Sequence, residues 1–137
     1  MVEDCIFCKI IAGEIPSVTV YEDDEVLAIL DISQVTKGHT LVLPKEHHRN
    51  LLTMTADESA RLFARVPALA NQVKTAMNAE GMNIIANNEA VGGQSVFHTH
   101  VHLLPRYTGD EGPDFINVPT HDYNLTEIAD AIKAAAL

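Results

Sequence analysis

His98-Thr99-His100-Val101-His102-Leu103-Leu104 decides how the chain is read. Three histidines fall on every second position, with residues that do not ionise between them. A period of two is the strand period, so the imidazoles share one face and Thr99, Val101 and Leu103 share the other. A row of imidazoles is a poor core, because each carries two ring nitrogens that need partners. It is also a poor solvated face, where Thr, Lys and Glu are the usual choice. A metal site or an acid/base and nucleophilic centre remains. Residues i and i+4 of a strand lie about 13 Å apart at ~3.3 Å per residue. Two nitrogens on one zinc lie at most about 4 Å apart. His98 and His102 therefore do not share one ion, and the row divides its duties.

Outward from that stretch, Asn87-Asn88-Glu89-Ala90-Val91-Gly92-Gly93-Gln94-Ser95 is a polar loop, and its two glycines open backbone N–H groups to a close ligand. Met82 to Asn88 reads as the strand before it. Pro105-Arg106-Tyr107 and a loop to about Tyr123 follow the histidines, then Asn124-Leu125-Thr126-Glu127 caps a final helix with Leu125, Ile128 and Ile132. Thr55-Ala56-Asp57-Glu58 is a capping box opening a long helix to about Glu80, with Gly81 as its stop. Leu62, Val66, Leu69, Val73 and Met77 make its apolar stripe, for core or a subunit interface. Pro67 should kink it or break it in two.

Val18 to Glu22, Val26 to Ile32 and His39 to Pro44 read as strands, the first two joined by the charged turn Glu22-Asp23-Asp24-Glu25. Cys5 to Gly13 reads as a short helix with Asp4 as N-cap and Gly13 as C-cap. Five strands, mostly hairpin-connected, with a short N-terminal helix, a long kinked helix and a C-terminal helix, predict an α+β fold on an antiparallel sheet. Cys5-x-x-Cys8 is a redox pair, two buried thiols, or half of a zinc site needing two histidines, for which His47 and His48 are candidates.

At 137 residues the chain suits one domain, 1–137, and 47% apolar residues can supply its core. A net charge of −10 argues against nucleic acid, which needs a basic stripe. The acidic start Met1-Val2-Glu3-Asp4 is unlike a signal peptide, no apolar run approaches a membrane span, and two cysteines make no disulfide scaffold. A cytoplasmic protein is expected.

The triad, together with Gly93-Gln94-Ser95-Val96-Phe97, Leu30-Asp31-Ile32 and Gly38-His39-Thr40-Leu41-Val42-Leu43-Pro44, closely resembles the histidine triad (HIT) family of nucleotide hydrolases and transferases, pattern His-φ-His-φ-His-φ-φ. Thr99 is the one departure within the triad. The resemblance implies a homodimer whose sheets join across subunits, and His100 as a nucleophile that forms a nucleotidyl-imidazole. It implies His102 and His39 around the α-phosphate, Ser95 near the leaving group, and Asn87 and Gln94 helping to hold phosphate and leaving group. It implies Asp31 on the ribose and a base pocket of Ile6, Phe7, Ile10, Ile29, Ile32 and Leu41. Some members with this Cys-x-x-Cys bind structural zinc, through ligands matching Cys5, Cys8, His47 and His98, and no metal enters the chemistry. The expected activity is hydrolysis of the P–N bond of purine nucleoside phosphoramidates. The rival readings are a dinucleoside polyphosphate hydrolase and a zinc-stabilised nucleotide-binding module.

Overall fold

The computed structural model describes residues 2–110 and 124–134. Among them, helix α1 (Ile6–Ile11) precedes strands β1 (Thr19–Glu22), β2 (Val26–Leu30) and β3 (Thr40–Pro44). Helices α2 (Ala56–Phe63) and α3 (Val66–Ala76) follow, then β4 (Gly81–Ile85), β5 (Val101–Arg106) and α4 (Leu125–Ala134). The strands form one sheet in the order β1-β2-β3-β5-β4, antiparallel at every pairing. The α+β expectation holds. The loop read to Tyr123 falls largely outside the described residues, as do the side chains of Leu125, Ile128 and Ile132.

Strands β2 and β3 each feed two cores, because successive side chains leave opposite faces of a sheet. Val26, Ala28, Val42, Val101 and Leu103 pack with Leu62, Val66, Leu69 and Val73 of the long stripe. That stripe is therefore core, with Met77 partly buried against it. Leu27, Ile29, Leu41 and Leu43 point the other way, onto Cys5, Phe7 and Cys8. Burying a Leu or Val of this kind contributes roughly 1.5–3 kcal/mol, so the helical stripe anchors the sheet on one side while the short α1 closes the other.

The element ends differ from the sequence expectation for local reasons. Strand β2 stops at Leu30, since Asp31 turns its carboxylate onto the Ser33 N–H (2.7 Å). The long helix breaks at Ala64 and Arg65, and Pro67 then sits in the first turn of α3, where its missing N–H costs no helical bond. Helix α3 ends at Ala76 rather than Glu80. Asn78, at φ 52°, takes the left-handed position that Gly81 was expected to fill, and the Asn78 and Ala79 N–H groups return to Thr75 and Lys74 carbonyls. Asp4 does not cap α1; Cys5 does, its sulfur accepting the Cys8 N–H at 3.3 Å. Strand β4 stops at Ile85, short of Asn88. Strand β5 runs through Pro105 to Arg106, because β3 pairs only as far as Leu103 and leaves the next backbone positions on that side without a ladder to break.

The β1–β2 turn is organised by one carboxylate. Asp23 accepts the Glu25 and Val26 N–H groups (2.8 Å each), the Tyr21 hydroxyl (2.6 Å) and Arg65 Nε (2.9 Å), tying the hairpin to the start of α3. The Tyr21 hydroxyl, the turn's N–H groups and Arg65 hold this carboxyl well below the usual carboxylate range against a desolvation that opposes them. A carboxyl whose folded value is depressed stabilises fully above its unfolded value near ~4, and loses that stabilisation as pH falls through the folded value. Asp23→Asn should therefore cost about 1–2 kcal/mol at neutral pH, and the gap to the parent should narrow below about pH 4. Thermal unfolding of both proteins from pH 7 downward checks this; a gap that stays constant with pH contradicts it.

Candidate active site and metal centre

The histidine row is not one strand. Only His102 lies in β5; His98, Thr99 and His100 approach it as irregular chain. Alternation nonetheless survives. Val101 and Leu103 enter the core under α2 and α3, whereas His98 and His100 each meet the edge of the Phe7 ring, with centroids 5.8 and 5.0 Å away. The backbone N–H of Thr99 and its hydroxyl both donate to the His48 carbonyl (2.8 and 3.2 Å), pinning the stretch to the segment after β3.

His98 works at both ends of its ring. Its Nε2 lies 2.8 Å from the Pro44 carbonyl oxygen, a contact that needs Nε2–H as donor, so the Nδ1 lone pair faces the cysteines. Nδ1 is 3.4 Å from Cys5 Sγ and 3.6 Å from Cys8 Sγ, and His47 Nδ1 is 3.3 Å from Cys8 Sγ. All four donor atoms lie within 4.8 Å of one another. Sulfur at about 2.3 Å and nitrogen at about 2.0–2.1 Å from a tetrahedral zinc are separated by about 3.5 Å. The four side chains fit such an ion in distance and in donor chemistry. Burial pushes His47 down and His98 down to about 4, so both imidazoles present lone pairs at neutral pH. The same burial pushes the Cys5 thiol up.

His100 is nine-tenths buried, and its Nδ1 lies 2.7 Å from the His98 carbonyl oxygen. Nδ1–H donates there, which leaves Nε2 with the lone pair. Burial lowers the pKa of His100 and outweighs the carbonyl that raises it. Beside it, 4.9 Å between ring centroids, stands His102, whose Nδ1 is 2.9 Å from His39 Nε2. One proton can sit on either side of that contact. His39 Nδ1 lies near both the Val35 N–H (3.3 Å) and the Ser33 carbonyl (3.2 Å), so either tautomer finds a partner. Burial first, then the neighbouring histidines, hold His102 down to about 4. Asp31 Oδ2 lies 3.5 Å from His39 Nε2. The site thus offers one oriented nucleophilic nitrogen and a two-imidazole pair able to give or take a proton.

Of the apolar residues expected to hold a base, Phe7, Ile10, Ile29 and Leu41 gather in the α1-side core, whereas Ile6 and Ile32 stand exposed. Ser95 is exposed, on a groove shared with Ile6, Arg49 and Phe97. Asn87 reaches the Gly93 carbonyl at 3.5 Å. Gln94 is buried, with every hydrogen-bonding position filled from within the chain. Its amide donates to the Arg49 and Val96 carbonyls (2.6 and 3.0 Å), and its oxygen accepts from Asn50 Nδ2 and the Glu89 N–H (3.1 and 2.8 Å). Its side chain thereby braces the loop that runs into Ser95.

Glu89, Arg49 and Asn50 were not singled out by sequence. Glu89 has φ 69° and ψ 157°, a conformation natural only to glycine and costing about 1–3 kcal/mol. It is held there by a bidentate pair with Arg49 (2.8 Å twice) and by Asn50 Nδ2 (2.6 Å), which take its carboxyl down to about 2. Its carbonyl accepts the Gly92 and Gln94 N–H groups. The clasp ties the loop carrying Ser95 to the segment carrying His47. A glutamate immediately before a glycine-bearing loop was the available signal.

A model of the HIT domain matches residues 12–109. Protein hit of Bacillus subtilis is 53% identical over 110 residues, covering 80% of this chain and 76% of its own. Adenylylsulfatase HINT3 of Arabidopsis thaliana is 41% identical over 107 residues, 78% of this chain and 54% of its own length. The crystal structure of a HIT family member from Bacillus subtilis superposes with a TM-score of 0.90 at 48% identity, covering 98% of this chain and 99% of that one.

Two outcomes follow from the geometry. Cys8→Ser should abolish stoichiometric zinc and lower the melting temperature, as should strong chelation of the parent, read by elemental analysis and thermal unfolding; a variant that keeps full zinc contradicts the ligand set. Glu89→Gly should be less destabilising than Glu89→Gln, because glycine adopts φ 69° without strain, while glutamine keeps the strain and loses the ion pair. The reverse order in thermal unfolding contradicts the clasp.

Proposed function

The chain belongs to the HIT domain family, and from that premise we propose that it is a nucleotide-binding hydrolase that cleaves the α-phosphate P–N bond of purine nucleoside phosphoramidates. The observation that carries the reading is His100. Its Nδ1–H is spent on the His98 carbonyl, its Nε2 keeps the lone pair and meets no hydrogen-bond partner among the described residues, and it sits beside the His102–His39 pair. The Arabidopsis relative's name, an adenylylsulfatase, is in keeping with chemistry on an adenylyl group.

In this reading, His100 Nε2 attacks the α-phosphorus. A bond from phosphorus to the imidazole forms and the bond to the amine breaks, the amine leaving with a proton passed through His102 and His39. Water then attacks the nucleotidyl-imidazole, gives up its proton by the same pair, and the nucleoside monophosphate departs with His100 restored. A neutral imidazole at position 100 is required at the start, and burial supplies it. Ser95 and Asn87 are assigned to the leaving-group and phosphate side, Asp31 to the ribose. Phe7, Ile10, Ile29 and Leu41 are assigned to the base, with Ile6 and Ile32 at the edges of that pocket. Zinc at Cys5, Cys8, His47 and His98 is structural in this scheme, since four protein ligands leave no open position for substrate. The chain is proposed to act as a cytoplasmic homodimer. In support, β4 ends the sheet and shows Ile84 half-exposed, an edge that a second copy can extend.

Mixing the protein with adenosine 5′-phosphoramidate, quenching early and measuring its mass should reveal a gain of one AMP unit. His100→Ala should lose both the adduct and AMP release while still binding nucleotide. An active His100→Ala protein overturns the assignment. Faster turnover of a dinucleoside polyphosphate than of the phosphoramidate would move the substrate to that class, and binding with no turnover of either would leave a nucleotide-binding module.

A further inference from the structure

On the far side of His47, a second group of metal-type donors is left unused by the proposed chemistry. We propose that His48, Glu46 and Glu58 form a distinct, exchangeable site for a divalent transition-metal ion. His48 Nε2 lies 3.5 Å from Glu58 Oε2 and 3.8 Å from Glu46 Oε1, and the three donor atoms fall within 4.8 Å of one another. Donor atoms bound to one ion at about 2.0–2.2 Å stand at most about 4 Å apart, so small side-chain movements close the set. One imidazole nitrogen and two carboxylate oxygens suit zinc, cobalt, nickel or manganese rather than an all-oxygen cation such as calcium or a soft ion such as copper(I).

The surroundings favour a cation. The three residues line a cavity of about 170 Å³ with Asp24, Lys45 and Arg61. Both basic residues are already committed, Lys45 to Glu22 at 2.7 Å and Arg61 to Glu25 at 3.0 Å. The donors come pre-aimed. Glu58 Oε1 is held by the Thr55 N–H (2.8 Å) in the helix cap, which leaves Oε2 for His48. The His48 backbone is fixed by the two Thr99 bonds to its carbonyl. The His48 side chain is 11% exposed and that of Glu58 21%, while that of Glu46, at 72%, forms the open rim. Three protein ligands leave positions for water, so the ion exchanges, unlike one enclosed by two cysteines and two histidines. Bound there, it would join the segment after β3 to α2.

The test is a Co2+ titration of the full-length protein as isolated, followed by calorimetry and absorption. One equivalent per chain should bind without a thiolate-to-cobalt absorption band, because no cysteine takes part. Glu46→Gln/Glu58→Gln should lose that equivalent and keep its melting temperature in the absence of added metal, since glutamine still reaches the Thr55 N–H in the cap. His48→Gln should lose it as well. Binding that appears only with a thiolate band, no binding at all, or an equivalent that survives both variants overturns the proposal. None of these outcomes depends on the hydrolase reading, which is tested on His100 alone.

Discussion

The local structure depends on His98. Its ring donates from Nε2 to Pro44 at the end of β3 and turns Nδ1 to the two cysteine sulfurs, while its main-chain carbonyl receives the Nδ1–H of His100. The residue is fully buried, so each contact is made without competition from water. A change that rotates the His98 peptide therefore acts on the metal-type cluster and on the His100 tautomer together. The helix α1 completes this arrangement. Its Cys-x-x-Cys faces the ring, and Phe7, between the two cysteines in sequence, packs edge-on against both His98 and His100. A six-residue helix is too short to be stable by itself; the contacts of its buried face with the sheet and the histidines hold it.

Much of this was legible because alternation depends on side-chain direction rather than on ladder hydrogen bonds. The histidines share a face even though the first two are not in a strand, so assigning His100 and His102 to one side and Val101 and Leu103 to the other survives the misplaced strand start. The argument that His98 and His102 serve different ends also survives, now for two reasons: their spacing, and the bend that sends His98 to the cysteines. The capping box at Thr55 and Glu58 formed as read, because reciprocal side-chain bonds of this kind need only local sequence.

What was not legible came from contacts distant in sequence or from residues in unusual roles. Nothing local marks Cys5 as the N-cap of α1, a role its sulfur takes over from Asp4. Asn78 displaced Gly81 as the left-handed residue because α3 stopped early, and asparagine tolerates that conformation better than most side chains. The Glu89 clasp joins residues 40 positions apart. Its partners Arg49 and Asn50 carry no local mark, and the bonds of Gln94 to Asn50 and to the Arg49 carbonyl likewise span 44 and 45 positions.

The clasp also explains why strain is tolerable beside the histidines. A glycine at position 89 would allow the turn without cost but would leave residues 90–95 without the carboxylate tie to Arg49 and Asn50. Glutamate costs backbone energy, yet it brings a carboxylate that Arg49 and Asn50 fix from the other side of the site. The Arg49 guanidinium is itself held over the Phe97 ring at 4.2 Å, one residue before His98. The loop before the triad and the segment after β3 are thus cross-linked at Glu89–Arg49, at Gln94–Arg49 and at Thr99–His48. The His100 tautomer depends on a single carbonyl, and loosening either segment would let the His98 carbonyl turn away from His100.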